Sequence, residues 1–322
     1  MQLIKKIKYE YQLKKFDDIF SQHGKSGLIE NLHKVYDDDL DLFEFLAQSY
    51  IPKIYSDFIL DEKVKPSIFW LNSFDDNDMK PIHEFLSFYF NELNLSDKFS
   101  VSNIEDSLFH LNKTKLLSRN YDFNDFVNFS YFIQFYISAM RKKDCNFIQS
   151  QSAFYEASEQ LKFTHPNLTR GFVLLIRNPY EIYINKKQIL ENDDVARNDL
   201  VNPEFNMLKK KFDEHYVEIN RQDWMTYNDS WTNENVMNGF NGLLIRYEDL
   251  IDNPQEVFTS ILFHLNQCGL EIKVDHQIVD KFVKNINKTN YNNSINFELS
   301  KKELKFLEKN LQSLEEKYNY SI

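Results

Sequence analysis

The run Gly171-Phe-Val-Leu-Leu-Ile-Arg-Asn-Pro-Tyr-Glu-Ile-Tyr-Ile-Asn-Lys-Lys187 constrains this chain more than any other stretch. Phe172 to Ile176 is a continuous apolar segment of strand length, the pattern of a strand buried on both faces of a parallel sheet. It stops at Arg177-Asn178-Pro179. Asn178 suits a helix N-cap through its side-chain oxygen, and Pro179 suits the first helical position, where no N–H is needed. Arg177 is therefore expected at the carboxyl end of a central strand, beside a helix N-terminus. Open α/β sheets bind ligands at that edge, and helix N-termini favour anions. A permanent cation there points to an anionic ligand, most simply a phosphate. An ordinary strand–turn–helix whose arginine pairs with a carboxylate explains the stretch about equally well.

Three further segments repeat the strand pattern: Ser67–Asn72, Asn146–Gln149 and the run from Gly242 that ends in Arg246-Tyr247-Glu248-Asp249. With only 6 Gly and 7 Pro in 322 residues, the connections are expected to be helical rather than a series of tight turns. The fold class read from this is α/β, a helix-rich chain with a central parallel sheet of about four or five strands flanked by helices. Residues 1–65 read as a helical N-terminal extension, and 66–322 as the α/β domain. Helices are expected from Pro81, across 94–145 with a long aromatic one at Asn124–Arg141, and over Ala153–Phe163. Others are expected from Pro179, through the polar region to about 237, at Glu256–Asn266 with Gly269 after its end, and at about 275–285 and 300–317. The strand at Asn146, the helix at Ala153 and the strand at Phe172 would form a right-handed parallel crossover. The aromatic face of the Asn124 helix suits a core or a dimer contact, so a homo-oligomer is compatible with it.

The formal charge of −11, from 38 basic and 49 acidic residues, argues against a general nucleic-acid or anionic-membrane binder. No apolar run approaches the roughly 18–20 residues that span a bilayer. Cys145 and Cys268 form no ligand or CxxC pattern, and the N-terminus is too charged for a signal-peptide core. A cytoplasmic protein with reduced thiols is expected. The acidic run Asp37–Asp39 suits a helix start and needs no metal.

Two motifs together carry a resemblance. Leu174-Leu-Ile-Arg-Asn-Pro-Tyr-Glu-Ile182 resembles the 3′-phosphate-binding motif of the sulfotransferases. Leu243-Leu-Ile-Arg-Tyr-Glu-Asp-Leu-Ile-Asp-Asn-Pro-Gln-Glu256 resembles that family's later strand–Arg-Tyr-Glu-Asp-Leu segment. The likeness covers roughly 66–320 and implies a P-loop-like α/β fold. It also implies 3′-phosphoadenosine 5′-phosphosulfate (PAPS) as co-substrate, no metal, and sulfuryl transfer to a hydroxyl or amine of an unidentified small-molecule or glycan acceptor. On this reading Arg177 holds the 3′-phosphate. Asn185 stands where the family usually has a second, serine ligand, and Tyr247 lies against the adenine. Arg246 and Glu248 are expected to pair at the strand end.

The chain departs from the family at the sulfur end. The 5′-phosphosulfate loop, Pro-Lys/Arg-Ser-Gly-Thr-Thr in the family, falls by position on Ser73–Lys80. That stretch has no glycine and three aspartates, and it leaves Ser73, Asn77 and Lys80 as weaker candidate ligands. Asp76 or Asp78 filling the phosphosulfate pocket would argue against catalysis. Lys25-Ser26-Gly27 matches the motif core literally but lacks a good preceding strand, and an inter-helix turn is the plainer reading. No histidine stands where some members carry their base, so Glu156, His83 and Lys80 are the remaining catalytic candidates. The alternative is a degenerate relative that keeps the fold and the nucleotide rim, and binds or scaffolds without transferring sulfuryl groups.

Overall fold

The computed structural model describes residues 2–38, 42–43, 45–46, 49–50, 65–102, 131, 133–138, 143–150, 152–154, 156–158, 161–190, 224–285, 301, 305, 317–318 and 320. In chain order its helices are α1 (Gln2–Asp38), α2 (Lys80–Glu92), α3 (Pro179–Leu190), α4 (Trp224–Thr232), α5 (Glu234–Gly239), α6 (Tyr247–Asp252), α7 (Pro254–Gln267) and α8 (His276–Asn285). Its strands are β1 (Ile68–Ser73), β2 (Phe99–Ser102), β3 (Cys145–Ser150), β4 (Glu156–Ser158), β5 (Leu161–Lys162), β6 (Thr169–Ile176) and β7 (Gly242–Arg246). Five of them make one parallel sheet in the order β2-β3-β1-β6-β7, flanked by helices, as the apolar runs predict.

The four expected strands lie in this sheet. In β6 Phe172 to Ile176 are all buried, and β1 and β3 are buried along their whole length. Burying each large apolar side chain stabilises the fold by about 1.5–3 kcal/mol. Two readings are corrected. The region 94–145 is not all helical, because Phe99–Ser102 is the edge strand β2, paired in register with Cys145–Ile148. The helix expected over Ala153–Phe163 is absent: β4 and β5 form a two-stranded antiparallel hairpin there. The connection from β3 to β6 is thus a hairpin rather than a helix. Most of the helices expected at 124–141 and 300–317, and of the polar region before Trp224, lie outside the described residues.

Contacts divide the chain into two compact units. The first comprises Met1–Phe69, Asp97–Ile148 and Glu156–Arg170. Within it α1 is two helices joined at a kink at Gly24 (φ 62°, ψ −157°), a conformation essentially reserved for glycine. Lys25-Ser26-Gly27 therefore begins the second helix, in the inter-helix setting its sequence suggests. Asp37 and Asp38 end α1 rather than start a helix. Phe147 packs on Phe69 and Phe99. A buried polar chain runs from Phe163 carbonyl through Gln134 and Thr164 to Thr169.

The second unit comprises Trp70–Ser96, Gln149–Tyr155 and Gly171–Ile322. Here α2 meets α7 and α8 through Phe85, which stacks on Phe258 at 4.2 Å and meets Phe282 edge-on. The Tyr89 hydroxyl donates to Lys273 carbonyl and accepts from Asp275 N–H, both at 2.7 Å. Trp231 of α4 lies on Phe172, and its indole N–H donates to Ser152 carbonyl. Helix α7 ends as expected, with Gly269 at φ 78° and Leu270 N–H returning to Leu265 carbonyl. Its His264 is buried, with Nε2 3.2 Å from Phe172 carbonyl. Burial pushes this imidazole below the ordinary histidine value, against the raising effect of its hydrogen bonds.

Two outcomes follow from this architecture. Gly24→Ala lowers stability by about 1–3 kcal/mol in urea unfolding, because the added Cβ meets open space and the cost is conformational. His264 contributes stability that is complete above the unfolded-state pKa of about 6.5 and is lost as pH falls towards its depressed folded value. Stability measured from pH 7.5 down to 5 therefore falls in the wild type and falls less in His264→Gln.

Candidate functional site

Strand order places a topological switch point between β1 and β6. From β1 the chain proceeds to β2 and β3 on one side, and from β6 to β7 on the other. The carboxyl ends of such neighbouring strands open the crevice where α/β sheets bind ligands. The residues at this edge, from Ser73 to Lys80, from Arg177 onward and from Arg246 onward, all belong to the second unit.

Arg177 leaves the end of β6 with its side chain only 11% exposed. Its Nη1 donates to Asp78 Oδ1 at 2.8 Å, and Asp78 is itself 4% exposed. Its Nε donates to Glu181 Oε2 at 3.3 Å, one helical turn on. Its guanidinium lies over the Tyr247 ring, 4.3 Å from the centroid. Burial works against the Arg177 cation. The charge and hydrogen bond of Asp78, with Tyr247 and Glu181, more than offset it and raise the pKa above the ordinary arginine value. Tyr247 is pushed up to about 12, first by burial and then by the carboxylates around it, against the lowering pull of Arg177.

The start of α3 is equally well filled. Asn178 Oδ1 accepts from Tyr180 N–H at 2.9 Å, the cap the sequence predicts. Asn178 N–H donates to Glu248 Oε1 at 2.9 Å, so an internal carboxylate takes the anion position at this helix end. Glu248 also accepts from the Tyr320 hydroxyl at 3.0 Å and pairs with Arg246 Nε at 3.8 Å, the pairing expected at the strand end. Arg246 lies over the Tyr320 ring, 4.6 Å from its centroid. The rim thus holds two guanidinium groups against the carboxylates of Asp78, Glu181 and Glu248.

The loop after β1 is no open cradle. Ser73 is buried and its Oγ donates to Asp75 carbonyl at 2.7 Å. Phe74 is buried edge-on against Tyr227. Asp76–Met79 is a single 3-10 turn that delivers Asp78 to Arg177. Lys80 opens α2 with its side chain 63% exposed and lies 3.9 Å from Glu84, so it does not reach into the rim. His83 is half-buried on the same helix. Glu156 lies on β4 in the first unit, not near a helix start, and its side chain is outside the described residues, as are those of Asn77 and Asn185. The structure therefore brings Arg177 and Tyr247 into contact. It puts Asp78, one of the two carboxylates the sequence flags, on Arg177 and pairs Glu248 with Arg246 as expected, and it adds Glu181 and Tyr320, of which Glu181 is announced by local spacing, four residues after the arginine.

The chain matches no protein-family model and no curated protein.

The buried pair has a thermodynamic signature. Arg177→Met takes from the buried Asp78 carboxylate its guanidinium partner, and costs about 3–5 kcal/mol in urea unfolding. Adding Asp78→Leu recovers most of that loss, because the buried carboxylate that lost its counter-ion is itself gone. Additive losses in this double-mutant cycle would show that the two side chains are not coupled.

Proposed function

We propose that this chain is a sulfotransferase-like nucleotide-binding protein that does not transfer sulfuryl groups. The observation that carries this reading is the buried Arg177–Asp78 pair at the switch point, stacked on Tyr247. Its cationic half supports a site for the 3′-phosphate of an adenosine nucleotide, since a guanidinium fork at a strand end suits a phosphate ester. Tyr247 offers an aromatic face beside it.

The residues at the other end do not suit the phosphosulfate of PAPS. A glycine-free loop whose 3-10 turn brings a carboxylate to the rim opposes a second anionic group, and Lys80 points elsewhere. Among the described residues the rim's carboxylates are held in ion pairs with Arg177 and Arg246, which weakens them as bases for an acceptor hydroxyl or amine. Transfer to such an acceptor, the other activity the resemblance implies, is disfavoured on these grounds, and the chain is read as a binding or scaffolding module. Cys145 and Cys268 are buried and not disulfide-bonded, which fits a cytoplasmic setting. No helix among the described residues is long and apolar enough to cross a membrane.

The test is thermal melting with 3′-phosphoadenosine 5′-phosphate, paired with a PAPS turnover assay over a panel of acceptors. A ligand that binds only the native state raises Tm by mass action, about 2.7 kcal/mol at one hundred times Kd. The expected result is a concentration-dependent rise in the wild type, its loss in the Arg177→Met/Asp78→Leu variant, and no sulfated product. No shift at millimolar ligand sinks nucleotide binding, and sulfated product sinks the non-transferring assignment.

A further inference from the structure

We infer that Asp78 is an internal competitor for the anion site at Arg177, so that a bound phosphate or sulfate ester must displace its carboxylate. This rests on the nucleotide-binding reading and names the residue that sets affinity within it. The Asp78 oxygen sits at 2.8 Å from Nη1, the distance a charge-assisted bond to a phosphate oxygen would take. Both side chains are nearly closed to solvent, so the contact is part of the folded rim rather than a loose surface pair.

The surrounding charges give the competition its sign. Glu181 faces the same guanidinium, Glu248 holds the helix end beside it, and among the described residues Arg246 adds a second cation. An arriving dianion meets three carboxylates and two guanidinium groups. Removing the Asp78 charge relieves the repulsion nearest the arginine. Removing its volume as well leaves a carboxylate-sized space against Arg177. The loop geometry that places Asp78 there is a 3-10 turn, so exchange requires the side chain to rotate out or the turn to open.

Two variants separate charge from volume. In Asp78→Asn, binding of 3′-phosphoadenosine 5′-phosphate, read by calorimetry, becomes at least tenfold tighter than in the wild type. Asp78→Ala melts lower than the wild type because Arg177 loses its buried partner, and inorganic sulfate or phosphate restores several degrees. Sodium chloride at matched ionic strength restores little. The wild type gains little from the same anions. Asp78→Asn binding the nucleotide no more tightly than a wild type that does bind it overturns the competitor role and leaves nucleotide binding standing. Equal anion stabilisation of wild type and Asp78→Ala also overturns the role. No binding by wild type, Asp78→Asn or Asp78→Ala overturns both readings together.

Discussion

The contact between Arg177 and Asp78 organises the carboxyl edge of the sheet in the second unit. An arginine that is 11% exposed and an aspartate that is 4% exposed have each lost most of their water. Such burial costs several kcal/mol per ion unless geometry and further partners compensate. Here the compensation is visible: a short hydrogen bond, a second carboxylate on α3, and an aromatic face from the first turn of α6. The pair therefore fixes four pieces of chain to one another: the turn after β1, the end of β6, the start of α3 and the residue after β7. Glu248 repeats the arrangement one step away, tying the α3 N-terminus to Arg246 and to Tyr320.

How much of this was legible depended on the range of the interaction. The central strands were readable because a strand buried on both faces must be apolar at every position, and Phe172–Ile176 is. The edge strand was not: Phe99-Ser-Val-Ser102 is four residues long and alternates, a pattern too short to distinguish from the surrounding chain. The hairpin at Glu156–Lys162 reads as a helix in sequence, since the apolar Phe154 and Leu161, seven residues apart, also fit helical spacing. Both bury their polar backbone by pairing rather than by pattern, and pairing is a tertiary fact.

The rim divides in the same way. The Asn178 cap and the Arg246–Glu248 pair are local and were expected from sequence. Glu181, at i+4 from Arg177, is within local range of it. The loop after β1 offers Asp75, Asp76 and Asp78, and sequence could name the hazard without saying which carboxylate turns inward. The 3-10 turn decides that. Tyr320, 72 residues from its partner Glu248, carried no local signal at all. The Lys25-Ser26-Gly27 motif shows the converse, since a literal match to a phosphate loop is here the first turn of a helix after a glycine kink.

The missing glycine and the paired arginine have one physical cause. A phosphate-cradling loop needs backbone amides turned towards the ligand, with room for the chain to approach closely, and glycine permits both. A glycine-free Ser73–Lys80 instead spends its hydrogen bonds on itself: Ser73 Oγ on Asp75 carbonyl, and Asp78 N–H on the same carbonyl. That tightening makes the 3-10 turn, and the turn carries the Asp78 side chain to the Arg177 guanidinium. The same glycine-free turn thus lacks the room of a phosphate cradle and supplies an internal carboxylate to Arg177.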